Sequence, residues 1–201
     1  MRSIPLAACV CLLAACSVAP VPDVTYYRLP APAPLPHADR PLSSLPIEVE
    51  TFAADGVYAE QALLYATSPS ANALRAYHYQ LWSQAPSTAL QDRLTQMLRD
   101  SGIAPLVTDR LPASTPALRV RGNIVRYERV PDAGGFKVIV ALGVRVDQGQ
   151  GEPLIERTYR AEVTAAGAGM DATVAAFAAA VDQTLARFYA DLAALGGGDG
   201  D

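Results

Sequence analysis

Cysteine is scarce and confined to one end: the 201 residues hold three, Cys9, Cys11 and Cys16, and none lies beyond position 16. A disulfide framework for the folded part is thereby excluded, and that part must hold together by packing. Histidine is limited to His37 and His78, which without neighbouring thiols make no metal cluster. Basic charge is not in excess either. Sixteen Lys+Arg against 20 Asp+Glu leave a net charge of -4, which removes the electrostatic basis for gripping a nucleic-acid backbone. No Gly-x-Ser-x-Gly elbow, P-loop or Gly-x-Gly-x-x-Gly after a strand occurs, so a hydrolase triad around His78 lacks its usual frame. Any nucleotide-driven step would need another subunit. The apolar run Ile4 to Ala15 is about twelve residues, too short to cross ~30 Å of hydrocarbon at about 1.5 Å per residue. What is left is one folded domain of ordinary size, with much of its 51% apolar content supplied by alanine.

The N-terminus carries the most specific signal. Arg2, the apolar run and then Leu13-Ala14-Ala15-Cys16 outline a secretory signal peptide ending in a sequence that resembles the lipobox of bacterial lipoproteins. All four positions match. Small side chains let the backbone enter a peptidase, and the Cys16 thiol takes a diacylglyceryl group before cleavage frees its amine for N-acylation. Two or three acyl chains anchor a protein to a bilayer essentially permanently, where one is marginal. Residues 1–15 are thus expected to be removed and residues 16–23 to be a lipidated tether, with no cofactor beyond the covalent lipid on Cys16. Ser17 stands where retention in the inner membrane often uses Asp, so the expected address is the periplasmic face of the outer membrane.

Eight of the 16 prolines fall between Pro20 and Pro46, which predicts an extended, helix-poor stretch with a Pro-rich loop over residues 30–45. Val24-Thr25-Tyr26-Tyr27-Arg28-Leu29 interrupts it as a short docked edge strand, and folded structure is expected to begin near Leu45. Alternation predicts strands at 46–52, 61–66 and 74–81; a helix over 72–82 competes with the last, but Tyr77, Tyr79 and Leu81 share one strand parity. Pro86 opens a helix carrying Leu90, Leu94, Met97 and Leu98, closed by Ser101-Gly102. A short strand at 103–107 follows. Strands at 117–129, 136–147 and 154–164 with short connectors predict an antiparallel meander. A final helix, about 171–195, carries Met170, Val174, Phe177, Val181, Leu185, Phe188 and Leu192 on one stripe, interrupted by Asp182, Arg187 and Asp191. Residues 24–195 form the domain and 196–201 a disordered tail. The fold class is α/β, a mixed sheet packed by two main helices.

Two surfaces invite a functional reading. Arg119 and Arg121 share a strand face, with Arg126 and Arg129 beyond, as either a basic patch for headgroups or an acidic partner, or a solvated face; Glu128 and Asp132 nearby favour the solvated face. Tyr77, Tyr79 and Trp82, with Tyr27 and Leu29, make a candidate partner surface, against the alternative that Trp82 packs beneath the following helix.

The Tyr26-Tyr27-Arg28-Leu29 tract after a lipobox, Tyr77 to Trp82 followed by Pro86 and a Leu-rich helix, the valine-rich meander and the Ala-rich last helix together resemble the ABC-type transport auxiliary lipoproteins, the PqiC-like family. The resemblance implies an α/β fold similar to the N-terminal domain of TolB. It also implies a non-enzymatic envelope lipoprotein serving transport of lipids or hydrophobic compounds, with an MCE-domain protein and an ABC permease and ATPase as partners. A homo-oligomer is a further option. Three functions stay open: an adaptor docking a protein bridge, a carrier holding a lipid chain between sheet and helices, and, least favoured, an envelope hydrolase.

Overall fold

Residues 21–70 and 72–196 are described by the computed structural model. The elements run β1 (Thr25–Tyr27), β2 (Ile47–Val49), a 3-10 turn (Gly56–Ala59), β3 (Ala62–Ala66), β4 (Leu74–Trp82), α1 (Pro86–Ser101), β5 (Val107–Thr108), β6 (Leu118–Asp132), β7 (Gly135–Gln148), β8 (Ile155–Thr164) and α2 (Met170–Leu195). Pro86 occupies the first turn of α1, where its missing N–H costs nothing, and Gly102 ends the helix in the left-handed conformation, φ 69°. The strand expected at 103–107 shrinks to Val107–Thr108, because Ile103 instead plugs into the core from a loop. The expected 131–135 connector shortens in the other direction: Pro131 pairs with Phe136 and Asp132 with Gly135, leaving a tight turn at Ala133 and Gly134, with φ 79° at the glycine.

The eight strands form one mixed sheet with β6 as its spine. Along one edge β6 pairs antiparallel with β7 from Leu118↔Gln148 to Asp132↔Gly135, and β8 continues the meander antiparallel to β7. Its other edge is shared: β2 runs parallel to Leu118–Val120, and β3 joins in parallel at Tyr65↔Arg129. Beyond these, β5 lies parallel to β2, β4 antiparallel to β3, and β1 parallel to β4.

Both helices cover one face, α2 over β7 and β8 and α1 beside β2 and β5. The apolar faces that meet there include Phe52, Leu142, Phe177, Leu185, Phe188 and Leu192, all essentially inaccessible to solvent. A bulge in β6 between Ile124 and Arg126 shifts its parity. Before it Leu118, Val120 and Ile124 are buried, and after it Tyr127 takes over the helix side, which simple alternation from Leu118 does not anticipate.

Two glycines on the meander sit against side chains of opposite freedom. A Cβ at Gly122 would lie 2.3 Å from the buried Phe52 ring, whereas one at Gly143 would lie 2.1 Å from Oδ1 of the exposed Asn123 side chain. Phe52 has nowhere to go; Asn123 can swing into solvent. Gly122→Ala is therefore expected to lower stability by about 1–3 kcal/mol and Gly143→Ala by no more than ~0.5, read as urea midpoints at unchanged slope. Phe52→Leu in the Gly122→Ala background should recover part of the loss, and equal effects at the two glycines would refute the packing argument.

Candidate functional site

Among the described residues no group of three or more His, Cys, Asp or Glu is placed to hold a metal ion. His37 packs its ring against Gly102 at the end of α1, and His78 is exposed on β4 beside Tyr79, so the two imidazoles have separate, structural surroundings.

The sheet face away from the helices holds the arginines. Arg119 pairs with Glu48, and Arg121 bridges Glu50 at 3.0 Å and Asp147 at 3.2 Å. Arg145 reaches Asp147 at 2.9 Å and Glu156 at 3.2 Å, while Arg126 pairs with Glu128. Glu162 lies between Lys137 and Arg160, whose hydrogen bonds hold its carboxyl down at a pKa of about 2. Burial and a hydrogen bond to Glu128 push the Tyr58 hydroxyl above its usual range, so it stays a donor to that carboxylate. This face is a ladder of alternating charge. Its arginines are spoken for, which supports the solvated reading over a basic patch; the exposed pairs among them, such as Arg145 with Glu156, contribute at most about 1 kcal/mol each, whereas Glu48, Glu128 and Asp147 are buried.

Arg129 departs from that ladder. The bulge turns it to the helix side, where it is 7% exposed, donates to the Tyr77 hydroxyl at 2.5 Å and the Ala168 carbonyl at 2.7 Å, and lies over the Phe136 ring at 3.3 Å. It ties β4, the meander and the entry to α2 together.

The five residues of the candidate partner surface do not form one patch. Trp82 is 4% exposed and packs edge-on against Phe177 at 5.1 Å and against Tyr127 at 5.7 Å, so it is a core residue and is withdrawn from the surface. The reason is a second irregularity: pairing between β3 and β4 shifts register between Ala62 and Leu64, so Tyr77 and Trp82, of opposite parity, both pack on the core. Tyr77 is half-buried under Tyr65, ring centroids 4.5 Å apart. Tyr79 is half-buried farther along β4. Tyr27 and Leu29 are half-buried on the other side of Trp82, lining a cleft of about 200 Å³ with Pro30, Pro86 and Arg93.

The cleft leads to a feature that propensity alone does not disclose. The Pro-rich segment after β1 is a strap laid over both helices, not a free loop, so ordered structure starts well before Leu45. Arg93 of α1 donates to Asp182 of α2 at 2.7 Å and to the Pro30 carbonyl at 2.6 Å, while the Ala33 N–H donates to the other Asp182 oxygen at 3.0 Å. Farther along, the Tyr189 hydroxyl donates to the Pro36 carbonyl at 2.7 Å, and the Ala38 and Leu42 amides donate to the Ser101 and Ile103 carbonyls. The signal in the sequence was one charge on the inner side of each helix, Arg93 beside Leu90 and Leu94, and Asp182 beside Val181. The other interruptions of the α2 stripe are also engaged: Asp191 accepts from Tyr159 and Arg157, both at 2.7 Å, and Arg187 donates to the Arg160 carbonyl.

A docked N-terminal strap, a β6-centred mixed sheet and two helices on one face coincide with a single family model, that of the ABC-type transport auxiliary lipoprotein component, which matches residues 27–188. The chain belongs to that family. Solved structures agree on the auxiliary lipoprotein's fold. A protein from Xanthomonas campestris, described under the family label DUF330, superposes with TM-score 0.73 at 19% identity, covering 87% of this chain and 98% of that one. A hypothetical protein from Chlamydia trachomatis gives TM-score 0.54 at 9% identity, with 77% and 98% covered. These likenesses speak for the fold alone. Among curated proteins none matches the chain. As a member of this family the auxiliary lipoprotein has a supporting role in ABC-type transport and is membrane-associated; no helix among the described residues is long and apolar enough to cross a membrane. Cys16 lies outside the described residues, as do residues 1–15, expected to be a signal peptide, and residues 197–201, while Gly196 follows α2 directly.

Proposed function

We propose that the mature protein starts at a lipidated Cys16, sits on the periplasmic face of the outer membrane, and acts as a non-catalytic adaptor. In this reading its domain docks an MCE-domain protein bridging from an ABC permease and ATPase in the inner membrane, and the cargo is a lipid or another hydrophobic compound. The observation that carries it is the family match, which begins at Tyr27, shortly after a lipobox complete at all four positions. A carrier holding an acyl chain would need an apolar cavity of several hundred Å³ between sheet and helices. Phe177, Leu185, Phe188 and Leu142 fill that layer with essentially no exposure, which supports the adaptor.

The test is affinity purification of the full-length protein from detergent-solubilised envelopes, followed by mass spectrometry of proteins and lipids. Co-purification of an MCE-domain protein with its permease and ATPase is the expected result. Stoichiometric phospholipid without any transporter subunit, across several detergents, would replace the adaptor by the carrier.

A further inference from the structure

Exposed apolar side chains are few on the described surface, and they are not spread evenly. Val21, Val24 and Tyr26 are 74%, 47% and 62% exposed, three large hydrophobics within six residues, whereas Val57, Leu106, Val125 and Leu154 stand singly elsewhere. Val24 and Tyr26 have the same strand parity, opposite to that of Tyr27, which packs on the core, so both point away from the domain. Arg28, exposed, follows at that parity. Strand β1 that presents them is the outermost in its part of the sheet, paired with β4 alone. Two valines, a tyrosine and an arginine form the side-chain set that suits the boundary between acyl chains and phosphates: apolar bodies inward, hydroxyl and cation among headgroups.

What covers this patch follows from where the chain leads. Only four residues, Ser17 to Pro20, separate Cys16 from Val21. Five residue steps span at most about 18 Å and ten at most about 36 Å, so a lipid on Cys16 holds Val21 and Tyr26 within that reach of a headgroup layer itself only about 5–7 Å thick. So short a tether keeps the local concentration of the patch at the bilayer high, and a weak interfacial affinity is realised. We propose that Val21, Val24, Tyr26 and Arg28 form a membrane-contact surface, which brings the β1 end of the sheet, by its face opposite the helices, against the lipid headgroups and leaves β5, at the far end of the strand order, farther from the bilayer. The inference rests on the lipid anchor at Cys16 and adds an orientation to it.

The experiment is fluorescence of the full-length, membrane-extracted lipoprotein reconstituted into phosphatidylethanolamine and phosphatidylglycerol vesicles, with plain or brominated acyl chains. Tyr26→Trp is compared with Leu106→Trp, an exposed position beside β5, and the buried Trp82 gives both variants the same background. The N-terminal peptide of each sample is weighed by mass spectrometry to read the state of Cys16. With acylated Cys16, the expected result is that the Tyr26→Trp protein loses most of its added emission in brominated vesicles while the Leu106→Trp protein keeps its own. Equal quenching in both variants, or none in Tyr26→Trp, would overturn the contact surface and leave the anchor standing. A blue shift in Tyr26→Trp without bromine quenching would also overturn it, since a protein would then be the cover. An unmodified Cys16 would overturn the anchor, and the orientation with it.

Discussion

Cys16→Ala is expected to abolish palmitate labelling and leave either a signal-retaining precursor or a soluble protein, read by [³H]palmitate incorporation and by fractionation of envelopes. The effect is all-or-none because of what each chain contributes. At ~0.8 kcal/mol per buried CH₂ a single acyl chain still binds only marginally and reversibly, whereas two or three together hold a protein on the bilayer essentially permanently. Alanine keeps the small-residue pattern around the cleavage point but removes the position-16 thiol that carries the thioether in this reading. Nothing in the folded domain can substitute, since no cysteine lies beyond position 16. Labelling that survives the substitution would refute the anchor. Ser17→Asp is the companion test of address: the protein should stay labelled and move to the inner-membrane fraction.

Asp182→Ala is expected to destabilise the domain by about 3–5 kcal/mol, because it strands a buried guanidinium. The Arg93 side chain is 5% exposed, and without Asp182 it keeps only the Pro30 and Ala31 carbonyls. The Ala33 N–H loses its acceptor in the same step. Urea unfolding measures the loss, and limited proteolysis supplies a second readout: cleavage should appear within residues 30–46 before the rest of the domain opens. The double variant Arg93→Met with Asp182→Leu should be far milder than either charge deletion alone, since an apolar pair of similar size leaves no unpaired charge. A loss below ~1 kcal/mol for Asp182→Ala would mean that the strap is held mainly by Tyr189 and the Ala38 and Leu42 amides.

Legibility in the sequence tracks how local the determinant is. Helix α1 was readable to its ends because Pro86 and Gly102 punctuate it and Leu90, Leu94 and Leu98 keep one period. Helix α2 and the meander were readable for the same reason. The two places where alternation assigned side chains to the wrong face are both bulges. Alternation assigns Tyr77, Tyr79 and Leu81 to one face and puts Trp82 on the other, but a register shift places Tyr77 and Trp82 together on the core. In β6 the bulge after Ile124 buries Tyr127 and turns Arg129 inward, away from the arginines that precede it on the strand. A bulge is fixed by the partner strand, which a single stretch of sequence does not carry. The strap was missed on composition: prolines foretell extension, but whether an extended segment floats or docks depended on Arg93 and Asp182, 89 positions apart in the chain. As for the site, the lipobox-like Leu13-Ala14-Ala15-Cys16 is contiguous, so that expectation rests on local sequence alone, whereas the candidate aromatic surface depended on long-range packing and dissolved into a core residue and scattered flanks.

The strap also gives the molecule a mechanical character. With the proposed anchor at Cys16, tension passed from the bilayer into the N-terminus arrives first at three residues of β1, whose parallel alignment with β4 loads their hydrogen bonds in shear when the pull runs along the strand. Should that short rung slip, force reaches the Arg93 and Asp182 clamp, which shares it between the two helices before the sheet is strained. Under that anchor the domain is moored at two successive points, and its interior meets a tug only after both have yielded.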